Sequence, residues 1–195
     1  MSQINVIYPP SVTWNEKKQR PHHLLRELSK KGINVYYCNT KKNNPPVEFK
    51  KIDNHFFYCS HEQVAQRELN KVGGINIYYA QYPHAMRYID RFKIDLLWYD
   101  YLDDFPHRRY GEMDIISEAD IVTASGITLY NKAKSVRRQV ELIENGCDYD
   151  LFAKAEKRLP CPELDKIKEP IIGYHGALSY WWDFELMDFL VDNFG

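Results

Sequence analysis

The sequence predicts an α/β domain wound on both faces of a parallel sheet, followed by the opening strand and helix of a second domain. Three observations carry that reading. Short runs rich in Ile, Val and Tyr alternate with amphipathic segments from residue 4 to residue 144, and strands separated by helices pair in parallel. The alternation stops at Asn145-Gly146, crosses a charged stretch holding Pro160 and Pro162, and restarts at residue 170. The chain has 195 residues, 44% hydrophobic and 14% aromatic, enough for one well-buried domain and an appendage. The expected division is a first domain over 1–152, a linker over 153–169 and the start of a second domain over 170–195.

Residues 4–8 form a β-rich run ended by Pro9-Pro10, and after a polar loop a helix starts at Pro21, which suits a first helical turn. Leu24, Leu25 and Leu28 share one face of that helix, Arg26, Lys30 and Lys31 face water, and Gly32 closes it. A strand over 33–38, a polar loop over 41–46 and a strand over 52–59 follow, and Ser60 with Gln63 predicts a capping box for a helix reaching residue 71. Gly73-Gly74 ends it before a strand over 75–80. A helix from Pro83 through 91, a strand over 95–99, a helix over 109–118 and a strand over 120–123 continue the pattern. Ser125 caps a helix over 127–135, and the strand from Val140 runs to Asn145-Gly146, a dipeptide suited to positive φ in a sharp turn. In the appendage, 170–176 reads as a buried strand entering a glycine turn and 183–191 as an amphipathic helix. One strand and one helix cannot enclose a core, so this segment must lean on the first domain, on another chain, or on something further.

The formal net charge of −1 gives no global basic field to draw the chain to nucleic acid. Cys38, Cys59, Cys147 and Cys161 make no Cys-x-x-Cys pair and no secretory leader is visible, so reduced cytosolic thiols are expected. No apolar run approaches the length of a membrane-spanning helix, and if a membrane matters the chain would sit on its surface. Walker A, zinc-ligand spacing and a nucleophile elbow are not seen, and those classes drop out.

In an open parallel sheet, ligands bind beyond the carboxyl ends of the strands, and four stretches fall there. The first runs from Trp14 to His23, where Arg20 and the free amides of a helix start could hold an anion, while His22 and His23 are a candidate base or, more ordinarily, helix caps. Its lack of glycines argues against a wrapped dinucleotide pyrophosphate. The second runs from Trp98 to Arg109 and holds Asp100, Asp103 and Asp104, carboxylates that could raise one another's pKa, bind sugar hydroxyls or metal, or simply form a solvated acidic loop paired with Arg108 and Arg109. The third is 145–148, with Asn145. The fourth is 173–179, where Gly173, His175 and Gly176 flank a strand end that a phosphate could approach, and Trp181 and Trp182 either fill a core or stack on a ring.

Taken together, these stretches resemble glycosyltransferases of the GT-B fold, group 1 (family 4-like), of the type that builds bacterial cell-surface polysaccharides. The resemblance lies in Gln19-Arg20-Pro21-His22-His23, in Tyr99-Asp100-Tyr101-Leu102-Asp103-Asp104, in Ala119-Asp120-Ile121-Val122, in the Asn-Gly-x-Asp-x-x-x-Phe run from Asn145 to Phe152, and in Gly173-Tyr174-His175-Gly176. It spans nearly the whole chain.

The resemblance implies two Rossmann-like domains facing across a cleft, the first binding the acceptor and the second a nucleotide-diphosphate sugar. It implies transfer of that sugar, without a tightly bound metal or cofactor, to a hydroxyl on a carbohydrate or lipid-linked acceptor in the cytoplasm, at the inner face of a membrane in some members. Asp103 and Asp104 are the expected catalytic pair, although many relatives place a histidine there. Trp14, Arg20, His22, Asp100 and Asn145 are expected on the acceptor side, Arg20 meeting an anionic group, and Gly173, His175 and Gly176 on the donor side. The paired glutamates of the donor half find no counterpart before Gly195, so the chain by itself is expected to transfer no sugar, and its half-built second domain is expected to favour homo-oligomers. The competing readings are a nucleotide-sugar 2-epimerase of the same fold and a non-catalytic Rossmann-like binding module; an NAD-dependent oxidoreductase fits poorly.

Overall fold

A computed structural model describes residues 2–15, 17–40, 46–104, 111–156, 161–168, 171–180 and 182–194. The chain divides into two compact units, Met1–Asp148 and Tyr149–Gly195.

The first unit is built on an eight-stranded sheet. Its strands are β1 (Ile4–Tyr8), β2 (Asn34–Cys38), β3 (Phe49–Lys51), β4 (Phe56–Cys59), β5 (Ile75–Ala80), β6 (Leu96–Tyr101), β7 (Ile121–Ala124) and β8 (Glu141–Leu142). Their order is β3-β4-β2-β1-β5-β6-β7-β8, and every pairing is parallel except β3 with β4. Strand order reverses between β1 and β5, consistent with a Rossmann-like fold. The connecting helices are α1 (Arg20–Lys30), α2 (Glu62–Leu69), α3 (Glu112–Glu118) and α4 (Ile127–Lys134), with a 3-10 helix over Pro83–Arg91.

The two-residue period of the strands divides the core between the faces of the sheet. Val6, Tyr8, Val35, Tyr37 and Tyr79 join Leu25 of α1 on one face. Ile7, Tyr36, Cys38, Tyr78, Tyr99 and Val122 join Val64, Ala65 and Ile116 on the other. The abundance of tyrosine, 15 in all, gains a structural account here. Tyr8, Tyr37, Tyr78, Tyr79 and Tyr99 are fully buried, and each hydroxyl donates a hydrogen bond, to Gln81 Oε1, Val12 O, Ala85 O, Asp100 Oδ2 and Glu112 Oε1 respectively. A phenol fills core volume and its hydroxyl must then find a partner.

Several elements depart from the sequence reading. The strand expected over 52–59 is a hairpin: β3 and β4 flank bends at 53–55, and Ser60 Oγ accepts from Glu48 N at 2.9 Å instead of capping a helix. The predicted capping box at Ser60 is therefore not formed, and His61 holds the N-cap position of α2. The segment from Pro83 is a 3-10 helix. The helix expected over 109–118 begins at Glu112, its earlier part lying outside the described residues. Strand β6 extends to Tyr101, so Asp100 belongs to the sheet and not to the loop beyond it. The last strand ends at Leu142, and Gly146 does not take a positive φ, whereas Gly32, which closes α1, does, with Gly74 and Gly111.

The second unit holds α5 (Tyr149–Phe152), a 3-10 turn (Ala153–Glu156) and α6 (Phe184–Phe194). Asp183 Oδ1 accepts from Leu186 N at 2.9 Å and so caps α6. The buried strand expected over 170–176 is not there: residues 171–175 have no regular structure, and Ile171 and Ile172 are exposed. Trp182 packs edge-on to Tyr174, ring centroids 4.1 Å apart. Among the described residues no helix is long and apolar enough to cross a membrane.

Candidate functional site

The carboxyl ends of the strands hold a buried polar network centred on Asp100. Its side chain is fully buried, yet each oxygen is hydrogen-bonded. Oδ1 accepts from Arg20 Nη2 at 3.0 Å and Thr123 Oγ1 at 2.6 Å, while Oδ2 accepts from Arg20 Nε at 2.8 Å, Tyr79 Oη at 2.7 Å and Gln81 Nε2 at 2.9 Å. Burial alone would raise the Asp100 carboxyl, but the hydrogen bond and charge of Arg20, with the bonds from Thr123 and Gln81, outweigh it and hold the group below the usual carboxylate range. The mutual raising of carboxylate pKa values expected from the Asp100, Asp103 and Asp104 cluster is thus reversed at Asp100.

Arg20 reaches the network from the first turn of α1. Burial works against its charge and Asp100 restores it, leaving the guanidinium raised above its ordinary value. Its remaining Nη1 donates to the carbonyl oxygen of Glu144 and to Asn145 Oδ1, each at 3.2 Å. Arg20 therefore spends its charge on Asp100, and the anionic ligand expected to meet it has no uncompensated cation to meet at this residue.

His22 lies one turn into α1 and is 4% exposed. Its Nδ1 accepts from the backbone amide of Gln19 at 3.1 Å, which puts the neutral ring's proton on Nε2, 3.1 Å from Tyr37 Oη. Burial and then the charge of Lys18 push the ring's pKa down, against backbone hydrogen bonds that raise it. His22 thus ties the helix start to β2 and faces no open space. Trp14 is part of the same packing, against His22, Tyr37 and Phe56, with Lys18 Nζ 4.3 Å from its ring centroid.

Beside this network an open groove of about 540 Å3 is lined by Lys18, Gln19, Arg20, His23, Leu24 and Glu27 from the loop and first turns of α1, by Leu102 and Asp103 beyond β6, and by residues 143–147 beyond β8. Three of the four stretches singled out in the sequence thus meet, as the carboxyl-end rule for parallel sheets requires. Asp103 is exposed on the groove wall. Asp104 turns to Lys132, with Nζ and Oδ1 2.7 Å apart. The fourth stretch belongs to the second unit: Gly173, His175 and Gly176 lie in exposed irregular chain, and a Cβ on Gly176 would collide with the Tyr174 ring.

Tyr79, Gln81 and Thr123 complete the Asp100 shell without having been singled out from the sequence. Each is a polar atom at or just beyond the end of an apolar strand, which is the only signal that could have found them. Among the described residues no group of three or more His, Cys, Asp and Glu side chains could hold a metal ion. No family model matches the chain, and no curated protein matches it.

Proposed function

We propose that this chain carries the acceptor-side domain of a GT-B glycosyltransferase, group 1 and family 4-like, which transfers a sugar from a nucleotide-diphosphate donor to a hydroxyl. The observation that carries the reading is the convergence on Arg20. The Gln-Arg-Pro motif, the Tyr-Asp motif and the Asn-Gly motif, scattered over 125 residues, are joined by one guanidinium that bonds Asp100, Glu144 and Asn145 at the rim of the groove.

In this reading the groove takes the acceptor. Asp103 accepts a hydrogen bond from the attacking hydroxyl and takes its proton, a role worth about 10²- to 10⁴-fold in rate. Asp104, held by Lys132, shapes the loop. The nucleotide diphosphate belongs to the second domain, with Gly173, His175 and Gly176 as its opening residues.

The test is amide NMR shift mapping of the chain against oligosaccharides, a lipid-linked saccharide and NAD. Saccharide shifts gathered at Lys18, His23, Asp103 and Asn145, with NAD silent, are expected. Shifts induced by NAD at residues 9–15, or silence towards every saccharide, would overturn the reading.

A further inference from the structure

Asn145 is the groove residue whose orientation the structure dictates. A guanidinium has N–H groups and no acceptor, so the atom that Asn145 turns to Arg20 Nη1 must be its amide oxygen, as the 3.2 Å contact to Oδ1 records. The amide nitrogen is then directed away from Arg20. Asn145 is exposed and lines the groove, and among the described residues Nδ2 has no protein partner. Arg20 is itself fixed by the two-point pair with the buried Asp100, so the chain from Asp100 through Arg20 to Asn145 sets a neutral donor at the groove wall.

The same chain takes Arg20 out of play as a partner for an anion and leaves exposed Lys18 as the lysine of the groove lining. Arg20, the most buried cation of the groove, with 9% of its side chain exposed, is neutralised by Asp100, and what it presents to the groove through Asn145 is an uncharged N–H pair. A neutral amide donor suits a hydroxyl oxygen, and the carboxylates Glu27, Asp103 and Glu144 outnumber Lys18 and the paired Arg20 in the lining, so the local field opposes a phosphate. Asp103, beyond the end of β6, adds an acceptor to the lining, and a hydroxyl can satisfy both kinds of group. The apolar Leu24, Leu102 and Ile143 between them suit the carbon faces of a ring.

We infer that Asn145 is the specificity-determining donor of the groove: its Nδ2, aimed by Arg20, reads a hydroxyl oxygen of a neutral acceptor sugar and selects against anionic acceptors. This rests on the acceptor-groove reading above and deepens it.

The experiment compares the wild-type chain with Asn145→Asp. An aspartate keeps an oxygen for Arg20, so the fold is retained, but its outward atom becomes an acceptor, and a sugar hydroxyl there must redirect its proton. Titrations with neutral gluco- and galacto-oligosaccharides, read by amide NMR, are expected to show binding weakened about tenfold, with an unchanged thermal midpoint. Inorganic phosphate and uronate oligomers are expected to leave the wild-type groove silent. Equal saccharide affinity in the two proteins, or phosphate shifts at Asn145, would overturn the assignment while leaving the acceptor groove standing. A wild-type chain silent to every saccharide would instead remove the underlying reading, and this one with it. A crystal of the wild type soaked with a bound oligosaccharide gives an independent answer: a hydroxyl within hydrogen-bond distance of Nδ2 supports the inference, and a saccharide seated away from Asn145 refutes it.

Discussion

Arg20 and Asp100 lie 80 residues apart in the chain and meet edge to edge, Nε 2.8 Å from Oδ2 and Nη2 3.0 Å from Oδ1. The pair binds the first turn of α1 to the end of β6 and, through Asp100, to Tyr79, Gln81 and Thr123 at the ends of β5 and β7. Local signals start α1, with Pro21 in its first turn and the His22 ring accepting from the Gln19 amide at 3.1 Å, but they do not tie it to the sheet. Its buried face rests on Leu25 and the ring of His22.

Removing one partner leaves the other as a buried, uncompensated charge. Arg20→Met is expected to cost about 3–5 kcal/mol, and Asp100→Leu a similar amount. The double variant is expected to cost clearly less than the sum of the two, because no charge is then stranded. Urea unfolding of the four proteins measures the coupling. Additive losses would show that the two side chains contribute independently.

The pH dependence of stability has two windows with the same sign and different causes. Asp100 has a folded value below its ordinary one, so its contribution is complete above about pH 4 and is lost as pH falls through the folded value. His22 is a base whose folded value is lowered. Below about pH 6.5 the unfolded chain takes up a proton that the folded ring refuses, and stability declines as pH falls. Chemical unfolding between pH 7 and pH 5 is expected to show this loss in the wild type and not in His22→Gln, while Asp100→Asn flattens the profile only below pH 4. Identical profiles for wild type and His22→Gln would mean that the ring takes up its proton as readily in the fold as in the unfolded chain.

The alternation of strand and helix was legible because β1, β2, β5, β6 and β7 are apolar enough to be read one by one. The edge strand β3 was not, since Phe49, Lys50 and Lys51 are all exposed and an edge strand is defined by its neighbour's backbone, not by a buried pattern. The reverse error fell on Ile171 and Ile172, an apolar pair that reads as a strand but stands exposed. A strand needs a partner, and sequence alone does not say whether one is present. The candidate site was legible as a set of stretches and illegible as chemistry. Three acids after an apolar strand look alike in the sequence, yet two more residues of strand β6 carry Asp100 into the core to meet Arg20 and leave Asp103 and Asp104 outside. Only the end of that strand separates a structural carboxylate from one that can reach a ligand.

Gly74 tests the opening of the sheet itself. Its φ is +123°, and a Cβ added there would run into the carbonyl of Gln3. That carbonyl oxygen also accepts the amide of Ile75 at 2.8 Å, the bond that leads into the β1–β5 pairing at Ile4 and Ile75. A backbone atom cannot swing aside as a side chain would, so Gly74→Ala must either strain φ or part the two strands at the switch point. The expected loss is about 2 kcal/mol or more. Gly73 is the control: a Cβ there meets nothing within 4 Å, and Gly73→Ala is expected to change stability by less than about 1 kcal/mol in either direction. Thermal unfolding of the two variants decides it, and equal midpoints would show that the β1–β5 opening tolerates displacement.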